Sequence, residues 1–382
     1  MSERPTIARL WQPRLAALEW PLWAALTPLS ALYAVALALR SRWWHGMART
    51  APVTTISVGN LTVGGNGKTP FTLFLATRLR QRGYRVAIVS RGYGRRASPQ
   101  AAILVADGGA VFMDAAAAGD EPAMMAHAFD GPIAVARRRL DAITMLAARA
   151  PLDVIILDDA FQHQRLRRDL DLVLIATPRG TGNGWLLPAG PLREPLSALR
   201  RADAVILVAP EAPQRASSDY ALAPALRAML TTRPALHARI RPRALVRASA
   251  GGWIESPLDL NGKRVAVVSG LAAPDGFAAM LRELGAELVE TLEYPDHHRY
   301  SPADWRAILR IADRTELVLT TEKDLVKLEG FSPALASLYA VRLEIVMDEA
   351  DESQLLARVT SCIERKRRAG APSVAGPTGI SL

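Results

Sequence analysis

Residues 62–69 read TVGGNGKT, inside the longer stretch SVGNLTVGGNGKTP at 57–70, and their reading decides the fold. A short apolar run from Thr54, TTISVG, precedes them. Phe71, Phe74, Leu75 and Leu79 follow at helical spacing, which predicts a helix over Thr69 to Arg82. Strand, glycine-rich loop and helix in that order are the setting of a phosphate-binding loop, G-x-x-x-x-G-K-[ST]. Thr62 replaces the first glycine of the pattern, and the remaining positions fit. Gly64, Gly65 and Gly67 leave the backbone free to turn its N–H groups inward around phosphates, with Val63 and Asn66 completing the loop. Lys68 is placed to reach the β- and γ-phosphates, and the Thr69 hydroxyl to ligate Mg²⁺. The helix beginning there adds its positive dipole end. Asn60 and Thr62 flank the loop and shape its turn.

Such a loop needs an acidic partner for the metal at the end of a neighbouring apolar strand. LDVIILDDA at 152–160 is that strand, and it ends in Asp158 and Asp159. Partition-type ATPases carry a lysine just before the glycine pair; this chain has Val63, which counts against that class.

Outward from the loop, apolar strands alternate with helices. RVAIVS (85–90), GPIAVA (131–136), DLVLIA (171–176) and DAVILVA (203–209) read as buried strands, and Ala123 to Phe129 and Arg138 to Ala150 as helices. The pattern resumes with KRVAVVSG (263–270), ELVETLEY (287–294) and ELVLTTEKD (316–324) as strands, and with helices over Gly276 to Leu284 and Ser301 to Arg314. Strands apolar throughout imply parallel sheets covered on both faces. The expected fold is α/β: a P-loop NTPase-type parallel-sheet lobe at 51–225 and a second, smaller α/β lobe at 226–363, joined within 205–240. The segment 364–382, rich in Arg, Gly, Pro and Ser, is expected to be disordered.

The first 50 residues form a membrane-associating segment. Pro21 to Leu39 contain no charged side chain, a stretch long enough to be a transmembrane candidate. Pro28 interrupts it, and arginines flank both sides, so charge sets no orientation. Trp20, Trp23, Tyr33, Trp43 and Trp44 beside those arginines suit a headgroup boundary. An interfacial helix, a span and a helix packed on the core all remain open; a cleaved signal peptide would export the chain away from ATP.

The chain has 382 residues, a formal net charge of +10 and a pI of about 10.2, which favours anionic partners. Aromatics make up 6% and no basic stripe is interleaved with them, so no nucleic-acid partner is expected. The single cysteine, Cys362, excludes an intrachain disulfide and a cysteine zinc cluster, and fits a reducing compartment.

Seven strings add a more specific signal. SVGNLTVGGNGKTP (57–70), SRGYGR (90–95), GDEP (119–122), LDDAFQHQRLRRDLDL (157–172), GPLREP (190–195), EYPDHHRY (293–300) and TTEKD (320–324) occur in that order. Together they resemble the tetraacyldisaccharide 4′-kinase family of lipid A biosynthesis, over residues 10–360. The resemblance implies ATP-dependent phosphorylation of the 4′-hydroxyl of a tetraacyldisaccharide 1-phosphate, with ATP and Mg²⁺ as cofactors. The place it implies is the cytoplasmic face of a Gram-negative inner membrane. It points to Asp120 of GDEP as the base, assisted by a histidine of EYPDHHRY, and leaves His297 and His298 as alternatives. Adjacent side chains of an extended segment point opposite ways, so only one is expected to face the site. Lys68 joins them as a catalytic residue. Arg193 and Glu194 are implied near the phosphates or the metal, and Tyr93, Gln162 and His163 near the substrate. Glu322, Lys323 and Asp324 are implied near the nucleotide, with no physical role. Where the family usually shows Arg or Lys after the histidine at 163, this chain has Gln164. Action as a monomer is expected. The competing class is a membrane-associated P-loop ATPase switch that passes phosphate only to water.

Overall fold

The computed structural model describes Trp11 and residues 20–65, 67–95, 101–177, 180–211, 224–231, 235–249, 252–331 and 335–370. An N-terminal helix, α1 (Trp20–His45), precedes a sheet of 13 strands. Its first half contains β1 (Thr54–Asn60), β2 (Val86–Ser90), β3 (Ile103–Asp107), β4 (Pro132–Val135), β5 (Val154–Asp158), β6 (Leu170–Ala176) and β7 (Ala204–Pro210). They lie in the order β3-β4-β2-β5-β1-β6-β7 and are all parallel except β3. All seven residues of β1 are buried, as a strand in mid-sheet with helices on both faces requires. Helix α2 (Lys68–Gln81) buries Phe71, Leu75 and Leu79, one side chain per turn, on that sheet. Then come the short α3 (Ala115–Ala118) and α4 (Asp120–Ala126), and α5 (Arg139–Arg149).

The strand that organises the rest is β8 (Ala235–Ser249). Its residues 235–240 pair in parallel with β7. It then runs nine residues further, to 249, past the carboxyl end of the first half-sheet. Its far half pairs antiparallel with β9 (Gly252–Pro257), and residues 239–246 pair antiparallel with β13 (Leu338–Val346). Beyond β13 lie β12 (Leu317–Thr321), β10 (Arg264–Ser269) and β11 (Glu287–Glu293), all parallel to it. The second half-sheet therefore stands off the carboxyl edge of the first, and its strands run back toward that edge. The carboxyl ends of both halves face each other. The register slips between Pro242 and Ala244, where a proline without an N–H meets the ladder, as at a bulge.

The two expected α/β lobes are present as two halves of one continuous sheet, joined by an antiparallel seam. The sequence underplayed β8 because its polar and apolar residues alternate, unlike the uniformly apolar parallel strands. ELVLTTEKD also divides: the strand stops at Thr321, whose hydroxyl accepts from the Asp324 amide and caps α9 (Glu322–Leu328). Helices α7 (Asp275–Glu283) and α8 (Pro302–Ala312) cover the second half, the latter opened by a Ser301–Asp304 capping box. A short α6 (Pro224–Leu230) follows β7.

The last helix, α10 (Glu349–Gly370), corrects the expected tail: disorder does not begin at Glu364, because helix continues to 370, and 371–382 lie outside the described residues. Leu355, Leu356, Val359, Cys362 and Ile363 are buried in the same cluster as Ile56 and Val58 of β1. Lys366 Nζ donates to Asp169 Oδ2 at 2.7 Å and to the Val53 carbonyl at 3.1 Å.

Asp153 fastens this arrangement. Its carboxylate accepts from the Arg85 amide at 2.8 Å and side chain at 2.7 Å, and pairs with Arg367 at 2.6 Å. Burial works to raise this carboxyl, but the two arginines outweigh it and hold it well below the usual carboxylate range. A depressed carboxyl contributes stability above its unfolded value and loses it as the pH falls. Asp153→Asn should cost about 1 kcal/mol at pH 7, after allowance for solvent screening of the arginines. Thermal unfolding of both proteins should show the gap closing from about pH 5 to pH 2; a constant gap contradicts the account.

Candidate active site

The phosphate loop is held from below by sequence-distant backbone. Asn60 is fully buried, and its Nδ2 donates to the Thr62 carbonyl at 2.7 Å. Thr62 bridges to Leu192, the Val63 amide donates to the Pro191 carbonyl at 2.9 Å, and the Arg193 amide to the Leu61 carbonyl at 2.7 Å. GPLREP is thus docked along the base of the loop. Gly64 and Gly67 take φ of 102° and 71°, which a side chain would strain. Lys68 and Thr69 open α2, and Asn66 lies outside the described residues.

On the neighbouring strand, β1 and the turn after β5 approach closely: a Cβ on Gly59 would come 2.5 Å from the Phe161 Cβ. Asp159 sits in that turn with φ of 45°. Its carboxylate is 3.8 Å from Lys68 Nζ and accepts from Arg193 Nη1 at 3.0 and 3.2 Å. Burial pushes the Asp159 carboxyl up, but Lys68 and Arg193 together overcome it and hold it below the usual value. Asp158 is the opposite case. It is buried, hydrogen-bonded by Thr72 at 3.2 Å and Ser90 at 3.3 Å, and has Glu121 and Asp159 nearby. Burial first, and then those carboxylates, raise it.

Among the described residues no group of three or more His, Cys, Asp or Glu forms a ready-made metal cage. Mg²⁺ does not need one, since it takes one or two carboxylates together with phosphate oxygens and water. A buried carboxylate crowded by carboxylates and hydroxyls is an all-oxygen donor set that a divalent cation relieves, so Thr69, Asp158 and Asp159 fit Mg²⁺.

Across the facing edges, Asp120 opens α4 directly after Gly119. A Cβ on Gly119 would lie 2.6 Å from the Tyr93 carbonyl, so the two loops interlock. Asp120 Oδ2 is 3.0 Å from His297 Nδ1 and 3.9 Å from Lys327 Nζ. His297 itself has φ of 59°, and the exposed Tyr93 ring lies 5.2 Å from its ring. His298 points elsewhere: its Nε2 is 3.1 Å from Asp304, and it stacks on Tyr294 at 4.6 Å. Of the two histidines, the structure puts His297 on Asp120 and His298 at the start of α8.

The family of Tetraacyldisaccharide-1-P 4′-kinase matches residues 22–361. The tetraacyldisaccharide 4′-kinase of Anaeromyxobacter dehalogenans (strain 2CP-C) is 42% identical over 339 residues, covering 87% of this chain and 86% of the relative. The chain belongs to the tetraacyldisaccharide-1-P 4′-kinase family. The namesake enzyme of Syntrophus aciditrophicus is 38% identical over 340 residues, 86% of this chain and 90% of its own. The crystal structure of LpxK from Aquifex aeolicus in complex with ATP aligns with a TM-score of 0.70 at 30% identity, over 90% of this chain and 99% of that one.

Within this family fold several expected residues take structural positions. Glu194 is buried and pairs with Arg201 at 2.7 Å, away from the Asp159 that Arg193 reaches. Gln162 Nε2 donates to the Asn60 carbonyl at 2.8 Å. Burial, then Arg139 and Arg168, push His163 down to about 3, so it stays neutral. Sequence reading missed Thr72, Ser90, Arg139 and Lys327. Arg139 is 3% exposed and donates to the Asp158 and Asp159 carbonyls at 3.3 and 3.0 Å. An arginine opening a helix reads as surface in sequence. Ser90 carried a signal, as the polar end of an apolar strand.

Swapping the histidines separates them. His297→Gln should lower kcat by about 100-fold. His298→Gln should stay within about threefold of wild type and mainly lower thermal stability. Steady-state kinetics giving the reverse order would refute the assignment.

Proposed function

We propose that this protein transfers the γ-phosphate of ATP to the 4′-hydroxyl of a tetraacyldisaccharide 1-phosphate, a lipid A precursor. The observation that carries the reading is the Asp120–His297 pair at 3.0 Å. Glu121, next to Asp120, is close enough to act on Asp158. Phosphate holder and proton acceptor therefore share one site. Phosphoryl transfer needs charge neutralisation, in-line placement and removal of the acceptor proton.

Lys68 and the loop amides bind and neutralise the β- and γ-phosphates. Arg193, held by Asp159, adds a positive charge beside Lys68. Thr69, Asp158 and Asp159 would hold Mg²⁺, which would supply further charge neutralisation when bound. Asp120 takes the proton of the 4′-hydroxyl as its oxygen attacks the γ-phosphorus, and the bond to the β-phosphate oxygen breaks to leave ADP. His297 orients Asp120. Tyr93, whose ring lies 5.2 Å from that of His297, is assigned to the acceptor side. The segments 51–225 and 226–363 act as the two lobes of this cleft. The proposal includes action as a monomer.

The N-terminal helix supports a membrane setting. One stripe docks on the protein: Ser30 Oγ donates to the Leu186 carbonyl at 2.9 Å, Tyr33 donates to the Arg193 carbonyl at 3.0 Å, and Trp23 meets Trp185 at 5.1 Å. The opposite stripe is apolar and open, with Leu32, Leu39 and Trp43 65–68% exposed. The helix is long and apolar enough to cross a membrane. A helix docked on one side and open on the other fits the interfacial reading, lying on the inner-membrane surface. Use of ATP supports the cytoplasmic face.

Detergent-solubilised protein incubated with γ-labelled ATP, Mg²⁺ and the disaccharide lipid tests this. Label should enter the lipid. Label released only as free phosphate would identify an ATPase switch instead.

A further inference from the structure

His297 is held at both ring nitrogens. Nδ1 lies 3.0 Å from Asp120 Oδ2, and Nε2 lies 3.3 Å from Lys323 Nζ. Lys323 is anchored in turn, its Nζ donating to Asp296 Oδ1 at 2.8 Å, with its side chain 18% exposed. An ammonium has three donors and no acceptor. The Nε2 that faces it can only accept, so that nitrogen carries no proton. The ring proton then sits on Nδ1 and is donated to the Asp120 carboxylate.

We infer that Lys323, a residue of TTEKD with no role in the reading above, is a positioning residue that fixes His297 as the neutral Nδ1–H tautomer. The inference rests on the proposed role of Asp120 as base. Its consequence is a division of labour within the pair. With Nδ1 already protonated and Nε2 occupied, His297 holds Asp120 Oδ2 and takes no proton from it. The proton of the acceptor hydroxyl goes to Asp120, and the other carboxyl oxygen, Oδ1, receives it.

The surroundings of His297 bear this out element by element. Lys323 and Lys327 face the pair from α9, the latter 3.9 Å from Asp120 Oδ2. Asp120 faces it from α4, and Tyr93 from the loop after β2. On its own loop Asp296 Oδ2 stands 4.0 Å from Nε2, beyond hydrogen-bond reach, because Oδ1 of the same carboxylate is engaged by Lys323. A second positive charge on the ring would sit against the Lys323 ammonium.

Two measurements test the inference on the full chain. With ¹⁵N-histidine-labelled protein, the His297 resonances are assigned by their loss in His297→Gln. The six histidines of the chain make this practicable. At pH 8 they should show a protonated Nδ1 and an unprotonated Nε2; the reverse tautomer, or an imidazolium, overturns the inference. The second is the same spectrum of Lys323→Met, read together with the kinetics of lipid phosphorylation. Without the ammonium at Nε2 the two tautomers should mix, and kcat should fall while the KM for ATP changes less than about twofold. Lys323→Arg, which again offers only donors, should restore the Nδ1–H form. A tautomer that stays in place while kcat falls marks Lys323 as merely structural and overturns the inference. Wild-type protein that phosphorylates no lipid would fail the functional reading, and the tautomer measurement stands apart from that result.

Discussion

The course of β8 governs the molecule. One continuous strand belongs to both half-sheets, parallel to β7 over its first six residues and antiparallel to β13 further on. Had β8 ended with β7, the second half-sheet would have no anchor at the carboxyl edge of the first. Because it runs on and β13 returns beside it, the loops after β10, β11 and β12 are aimed at the loops after β1, β2 and β5. The carboxyl edges of parallel strands are where α/β proteins place their ligands. Here two such edges confront each other, and the cleft between them contains both the phosphate loop and the Asp120–His297 pair.

Electrostatics divides this cleft into two regions. On the loop side, Asp159 is kept ionised by Lys68 and Arg193, whereas buried Asp158 is raised by its acidic neighbours. On the facing side, Asp120, His297, Lys323, Lys327 and Asp324 form a chain of pairs, with Lys327 and Asp324 at 2.7 Å. Helices α4 and α9 are also fastened at their other ends. His127 stacks on Trp253 at 4.7 Å, and its Nε2 pairs with Glu329 at 3.0 Å. The N-terminal helix enters the same network, because the Tyr33 hydroxyl holds the carbonyl of Arg193. The docked face of that helix and Arg193 are thus one hydrogen bond apart.

What was legible in sequence was what a local pattern encodes. Uniformly apolar strands such as TTISVG and LDVIILDDA announced a parallel core, and the meeting of Lys68 with Asp159 followed from the loop and its partner strand. What escaped depends on tertiary contact. The alternating β8 and β13 gave no parallel-strand signal, so the seam was invisible. The choice between His297 and His298 turned on a left-handed φ at His297, which the extended-chain argument did not contain. Glu194 looked like its neighbour Arg193 in sequence, yet one side chain meets Arg201 and the other Asp159. Arginine-rich composition suggested a loose tail where Lys366 and Arg367 in fact anchor α10 to Asp169 and Asp153.

The central claim is that Asp120 and His297, contributed from opposite edges of the cleft, act as one unit. A double-mutant cycle on kcat measures this most directly, with Asp120→Asn, His297→Gln and the combined protein assayed at saturating ATP and lipid. If the pair acts as a unit, the double variant is no slower than the slower single variant, within about threefold. If the two losses multiply, the residues act independently and the account is wrong.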